Sequence, residues 1–282
     1  MKQNEYDSIL KTIRSFRGLT RDCSKMLVEK YSHINKYALF SILAIEVQQR
    51  MKCMHSRLFG GEKNYYERYK QAQKTSKQSG IILQMALQIN APPSLLARHI
   101  LEDYLTEKGE SNSRSSLGKY LKDSTLIEDK DLAYEIFTCV LYDDQYGPVA
   151  DSIALSVGEE YEVILQCCLK ERNISFRNEH HLRSRGYDKT PDVKLEIPIA
   201  VNGYVINWIE SKARFGNAEI HKKNVKEQFS SYWNRFGQGL VIYWFGFLDT
   251  LIQPSEKRFI ILDHFPKEIT YMNPNSIQPL AF

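Results

Sequence analysis

Pro191-Asp192 and Glu210-Ser211-Lys212 are residues whose types and spacing suit hydrolytic chemistry. Side chains along a strand alternate between faces, so Glu210 and Lys212 project together while Ile209 and Ser211 point the other way. Asp192 and Glu210 offer hard oxygen ligands to Mg²⁺ or Mn²⁺. Lys212 would orient or help deprotonate an attacking water and offset charge on a phosphate. A metal held there would polarise a phosphoryl oxygen and acidify its bound water. Together these parts suit phosphodiester hydrolysis. A solvated carboxylate–lysine pair is the plain alternative, worth little energetically. Against it, Glu210 follows Val205-Ile206-Asn207-Trp208-Ile209, where a central strand should be buried. A buried carboxylate demands a partner.

The elements that must deliver these residues fall in the second half. Residues 151–282 read as an α/β domain. A helix over 159–172 and a short strand over 174–177 are followed by a polar, basic loop over 178–190. Strands over 192–201 and 204–213 flank Asn202-Gly203, a hairpin signal. A helix over 218–235 ends at Gly237 and Gly239. Strands over 240–248 and 258–262 complete the domain, and 271–282 reads as a tail or a partner-docking strap. The hairpin sets a constraint. In a two-residue turn with unbroken pairing, Val193 lies across from Lys212, and Asp192 faces away from Glu210. The spacing therefore predicts a three- or five-residue loop, or a bulge near Pro198, which cannot donate a ladder hydrogen bond.

Residues 1–150 read as helices. One spans 21–31. A second, over 36–54, carries Leu39, Ile42, Leu43, Val47 and Met51 at helical spacing. An apolar helix over 81–89 is broken by Asn90-Ala91-Pro92-Pro93, and Ser94 is placed to cap a helix over 95–105. This pair has a helix-turn-helix shape whose Arg98 and His99 could face a phosphate. Such pairs are also frequent in plain all-α packing, and a basic helical face is weak evidence of DNA contact. Residues 106–116 read as a loop. Tyr65, Tyr66 and Tyr69 read as core or interface aromatics.

With 282 residues, 43% hydrophobic and 26% charged, the composition is that of a globular chain of about two domains. A formal charge of +4 permits nucleic-acid binding without demanding it. The first ten residues hold no apolar signal core, and the longest apolar run, 240–248, is short of the roughly 20 residues of a membrane span. No membrane association is expected. Five cysteines without a CxxC fit a reducing, intracellular compartment and give no zinc spacing, and neither does His180-His181. His180, His181, Arg183, Arg185 and Lys189 precede the catalytic strand, and Lys222, Lys223 and Lys226 follow it on a helix. They could track phosphates on both sides of a cleft, or be solvated faces.

Asp192 with Glu210-Ser211-Lys212, in an α-β-β-β-α-β order, resembles the PD-(D/E)XK nuclease superfamily and its restriction-endonuclease-like fold. The stretches RGYDKTPD (185–192), WIESKA (208–213) and QFSSYWNRFGQGLVIYWFGF (228–247) resemble the animal codanin-interacting nuclease family, which carries a Thr-Pro-Asp signature. The similarity extends to APPSLLARHILE (91–102) and YGPVAD (146–151). The resemblance implies an all-α, helix-turn-helix-like domain over 1–150 and a metal-dependent nuclease domain over 151–282. It also implies nucleic acid, DNA foremost, as substrate, and association with codanin in nucleus and cytoplasm. By the same resemblance, the first core helix adds an acidic ligand. Glu160, on one face with Val163, Ile164 and Cys167, is preferred, and Glu162, on a different face, is the alternative. A solvated carboxylate favoured by the helix dipole is the plain reading. Gln228-x-x-x-Tyr232 resembles the helix motif of RecB-type nucleases, which touches the active site or DNA; a packing role for Tyr232 stands beside it. Two rival functions remain: a scaffold that keeps the fold to bind codanin with little turnover, and a helix-turn-helix DNA-binding protein without chemistry.

Overall fold

The computed structural model describes residues 1–60, 63–75, 79–110 and 113–273. The chain forms two compact units, Ser8–Ser156, and Met1–Asp7 with Val157–Phe282.

The first unit is helical: α1 (Gln3–Ser15) from Ser8 onward, α2 (Thr20–Lys30), α3 (Lys36–Phe59), α4 (Tyr65–Thr75), α5 (Ile81–Gln88), α6 (Pro93–Glu107), α7 (Arg114–Lys122) and α8 (Lys130–Tyr142). Tyr65, Tyr66 and Tyr69 are buried with Ile82, Ile100 and Ile136 in one core. The region expected as a loop over 106–116 is shorter, because α6 runs on to Glu107 and α7 begins at Arg114. Ser94 does not cap α6. The helix starts at Pro93, whose missing N–H suits the first turn. The Ser94 N–H donates to Oδ2 of the buried Asp143 at 2.9 Å. Oδ1 of Asp143 accepts from the Gln145 and Tyr146 N–H groups, each at 2.9 Å. Burial pushes the Asp143 carboxyl up to about 6 against these donors. His99 packs against the rings of Phe59 and Tyr65, with centroids 5.5 and 5.9 Å away, rather than facing outward. Arg98 is half-buried.

In the second unit α9 (Pro148–Glu171), from Val157 onward, leads into β1 (Phe176–Asn178), α10 (Glu179–Ser184), β2 (Val193–Val201) and β3 (Tyr204–Lys212). Then come α11 (Ala218–Asn224), a π-helical turn (Val225–Phe229), α12 (Ser230–Phe236), β4 (Gly239–Tyr243), β5 (Phe259–Leu262) and β6 (Thr270–Tyr271). Among the described residues the sheet runs β1-β2-β3-β4-β5, with β6 also on β2. Strands β1, β2 and β3 pair antiparallel, while β3, β4 and β5 pair parallel. Joining parallel neighbours β3 and β4 requires a crossover, which α11 and α12 supply. One apolar layer joins Leu165 and Leu169 of α9 to Val193, Ile199, Ile209 and Leu240. A second joins Trp208, Val241 and Tyr243 to Phe229 and Tyr232. All five residues of β4 are therefore buried, as befits a central parallel strand. That strand stops at Tyr243 rather than reaching 248, because the chain turns at Gly246, whose φ is +84°. The stretch read as a basic loop holds α10, which Asn178 caps by accepting from the His181 N–H at 3.0 Å. Of the expected tail, Tyr271 lies in β6 and residues 274–282 lie outside the described residues.

The hairpin register is the feature on which the site depends. Asn202 and Gly203 form a tight two-residue turn, with φ of +50° and +81°. Val201 pairs with Tyr204 and Ile199 with Ile206, yet Lys194 pairs with Trp208 and Val193 with Ile209. Residues 195–198 thus lie opposite Asn207 alone. The longer loop does not occur. The irregularity includes Pro198, as expected, but it is three residues larger than its partner segment rather than one.

Candidate active site

Continuing the Val193–Ile209 pairing by one step brings Asp192 across from Glu210. The backbone and side chains interlock there. The Asp192 N–H donates to Glu210 Oε2 at 3.3 Å, and the Ser211 N–H donates to Asp192 Oδ2 at 2.7 Å. Lys212 Nζ donates to Glu210 Oε1 at 2.6 Å. Glu210 is 1% exposed, and Asp192 and Lys212 are half-buried. Ser211 points away, accepting from Trp244 Nε1 at 2.8 Å. The strand alternation read from the sequence thus holds through 210–212.

The electrostatics follow from burial. Asp192 is held well above the ordinary carboxylate range by burial and by the Glu210 carboxylate, against the opposing pull of Lys212 and the Ser211 N–H. Glu210 is also raised, because burial outweighs its ion pair with Lys212. Burial alone would lower the Lys212 pKa, but the carboxylates of Glu210 and Asp192 outweigh it and raise the ammonium pKa. Two reluctant carboxylates share one cation, and a second cation would relieve them.

Glu162, not Glu160, is the carboxylate on the sheet-facing side of α9. Glu160 is exposed, as is Cys167, and Val163 is 57% exposed. The buried stripe of α9 is Leu165 and Leu169. Glu162, half-buried, precedes Leu165 by three and shares that stripe. Burial raises its pKa, and the charges of Glu179 and Glu210 add to the rise. Residue type points to the wrong face of α9, because Val163 and Cys167 are apolar yet lie outside.

Glu179 is a carboxylate that sequence reasoning missed. Its charge acts on Glu162, Glu210 and Tyr232. Its N–H donates to the Asp192 carbonyl at 3.1 Å, and its Oε1 accepts from Arg183 at 2.7 Å and from the Thr190 hydroxyl at 3.2 Å. The available signal was Asn178-Glu179, a helix cap followed by an acid in the first turn.

Tyr232 is buried, its ring edge-on to Trp208 with centroids 5.2 Å apart. Burial raises its phenol pKa, and Glu210, Asp192 and Glu179 add to the effect. It therefore packs and also faces the acidic centre. Gln228 is half-buried inside the π-helical turn, a local form common at functional sites.

The basic residues are exposed but several are engaged. Arg183 pairs with Glu179. Lys189 donates to the Glu227 carbonyl at 3.0 Å, and Lys223 lies 3.9 Å from the Glu227 carboxylate. Arg185 and Lys222 are exposed on α10's end and on α11. Arg235 ties the loop before β2 to α12 by pairing with Asp188 at 2.6 Å and donating to the Lys189 carbonyl at 3.1 Å.

Among the described residues, no three His, Cys, Asp or Glu side chains are gathered closely enough to hold a metal ion. The donor set still fits Mg²⁺, which usually rests on one or two carboxylates and keeps several waters. Asp192 and Glu210 are such a pair, hard in their donors and raised in pKa.

A family model described as "Protein of unknown function TPD sequence-motif" matches residues 128–265, which include Thr190-Pro191-Asp192. A Danio rerio protein named CDAN1-interacting nuclease 1 is 43% identical over 269 residues, covering 94% of this chain and 89% of its own. The Xenopus laevis protein of that name is 40% identical over 275 residues, covering 96% and 90%. The Homo sapiens protein is 39% identical over 268 residues, covering 94% and 95%. No solved structure matches. No helix among the described residues is long and apolar enough to cross a membrane.

Proposed function

The chain belongs to the CDAN1-interacting nuclease 1 family, and on that premise we propose that it is a Mg²⁺-dependent nuclease of the PD-(D/E)XK type. Its substrate in this reading is nucleic acid, DNA foremost, and its partner is codanin, in nucleus and cytoplasm. The observation that carries the reading is the Asp192–Glu210 pair in register across β2 and β3, with Lys212 Nζ 2.6 Å from Glu210.

Asp192 and Glu210 would hold the metal, with Glu162 as the inward-facing helix acid. When bound, Mg²⁺ supplies Lewis acidity to a phosphoryl oxygen and a more acidic water. The protein's own share is positioning and charge. Lys212 is protonated beside Glu210, so it acts as a donor that orients the attacking water and offsets phosphate charge, not as a base. The Ser211 N–H fixes Asp192 Oδ2. Tyr232, packed edge-on against Trp208, is near enough to the same acids for their charges to act on its phenol. Burial of Glu210 keeps bulk water from screening these interactions.

The test is cleavage of single-stranded, duplex and flapped DNA and of RNA by the wild-type chain and by Asp192→Asn, with Mg²⁺ and with EDTA. Cleavage that needs Mg²⁺ and is lost in folded Asp192→Asn supports the reading. A wild-type chain that binds codanin but cleaves none of these substrates replaces it with the scaffold.

A further inference from the structure

Arg214 lies just past β3, two residues after Lys212. Its Nε is buried and has no hydrogen-bond acceptor. Arg21 and Arg50 of the helical unit also have a buried Nε without an acceptor, but Arg21 donates from Nη2 to the Leu141 carbonyl at 2.7 Å and the Glu46 carboxylate acts on Arg50. Elsewhere a carboxylate fork meets the guanidinium. Arg14 donates from Nε and Nη2 to Glu46 at 2.7 and 3.0 Å, and Arg258 likewise to Glu256 at 3.0 and 2.7 Å. Among the described residues no carboxylate acts on Arg214. Its one electrostatic neighbour in the opposite sense is the Tyr243 hydroxyl, and its charge acts against that of Lys212.

Guanidinium keeps its proton at every accessible pH, so this charge cannot be relieved by titration. A buried donor without an acceptor is costly, and a buried cation beside a second cation more so. The cost falls where two cations would be useful. Asp192 and Glu210 form the acidic part of the site, Lys212 pairs with Glu210, and Arg214 is near enough to Lys212 for the two charges to oppose each other. Two neighbouring cationic donors beside a hard carboxylate pair suit a phosphate ligand.

We propose that Arg214 is a phosphate-binding residue of this site, receiving a phosphate oxygen on its buried Nε–H. The likeness of its planar fork to phosphate geometry is what selects arginine there. In the nuclease reading, on which this assignment of ligand rests, the phosphate belongs to the nucleic-acid strand. Free phosphate shares the same chemistry, and the two are separated by experiment.

The full chain labelled with ¹⁵N, without metal, reports the arginine Nε–H signals, and Arg214→Lys assigns that of Arg214 by its loss. Inorganic phosphate should shift this signal saturably, and sodium chloride of equal ionic strength should not. In parallel, fluorescein-labelled DNA oligonucleotides, single-stranded and duplex, are titrated in EDTA. Folded Arg214→Gln should bind roughly tenfold to a hundredfold more weakly, as expected for losing a charge-assisted hydrogen bond. Its salt dependence should be shallower by about one unit of slope, and Arg214→Lys should recover part of the loss. If Arg214→Gln binds oligonucleotide like wild type, the proposal is overturned, even where wild type cleaves nucleic acid normally. If phosphate shifts the signal but wild type neither binds nor cleaves nucleic acid, Arg214 stands as a free-phosphate site and the nuclease reading fails alone. No shift with phosphate and no nucleic-acid binding by wild type overturns both. Should Arg214→Gln fail to fold, the phosphate titration and Arg214→Lys decide.

Discussion

Replacing Lys212 by Met removes the cation and keeps the stem, leaving Asp192 and Glu210 buried side by side. At the observed 2.6 Å, the pair's Coulomb attraction is about 6 kcal/mol at an effective dielectric of roughly 20. Lost desolvation of the ammonium refunds part of this, so the net cost of removing one partner of a buried pair is about 3–5 kcal/mol. That cost depends on pH. Both carboxyls sit above their ordinary values of 3.8 and 4.5. The folded chain therefore keeps their protons to higher pH than the unfolded chain does. Their ionisation subtracts stability as pH rises from the ordinary carboxylate range through the raised values. Lys212 opposes the rise in both, so Lys212→Met widens that window. The destabilisation should be larger at pH 8 than at pH 5, because protonating the pair removes the negative charge that Lys212 offsets. Urea unfolding followed by tryptophan fluorescence reads the right part of the chain, because Trp208, Trp233 and Trp244 are its only tryptophans and all lie in the second unit. Asp143, which also titrates high, is common to both proteins and drops out of the difference. Millimolar Mg²⁺ should restore stability at pH 8. Equal destabilisation at pH 5 and pH 8 in EDTA would refute the account of a charge-strained acid pair.

Four further substitutions test the packing and the helix acid. A Cβ at Gly239 would overlap the Trp208 indole, so Gly239→Ala should lose at least about 3 kcal/mol or fail to fold. Gly158→Ala, with open space around it, should instead raise the fluorescence midpoint slightly, by about 0.5–1 kcal/mol of helix propensity. Glu162→Gln should lower Mg²⁺-dependent cleavage or raise its Mg²⁺ requirement by about tenfold or more. Glu160→Gln, on the exposed side of α9, should cleave like wild type; the reverse ranking would return Glu160 to the site.

The sequence made the strand chemistry legible because its signals are local. Period-two alternation places Glu210 with Lys212, and Asn202-Gly203 marks the turn whatever surrounds it. Register is less local. The need for a shift could be derived from Asp192 having to meet Glu210, but its size depends on how residues 195–198 leave β3, which no propensity encodes. The face of α9 was harder still. Val163 and Cys167 look like core residues by type, and only packing against Leu165 and Leu169 shows which apolar side faces the sheet. Ser94 is a good cap by local rules, yet a buried acid 49 residues away serves its N–H instead. Glu179 was hidden by the basic residues around it, since charge composition says nothing of which single side chain comes near the buried acids.

The three surplus residues in β2 also bear on how such a chain can change length. Each residue added or removed between Leu195 and Pro198 rotates Asp192 from one side of the sheet to the other, while a change of two restores it. Insertions and deletions tolerated in this stretch by active relatives should therefore come in even steps, a rule that can be checked by counting residues alone.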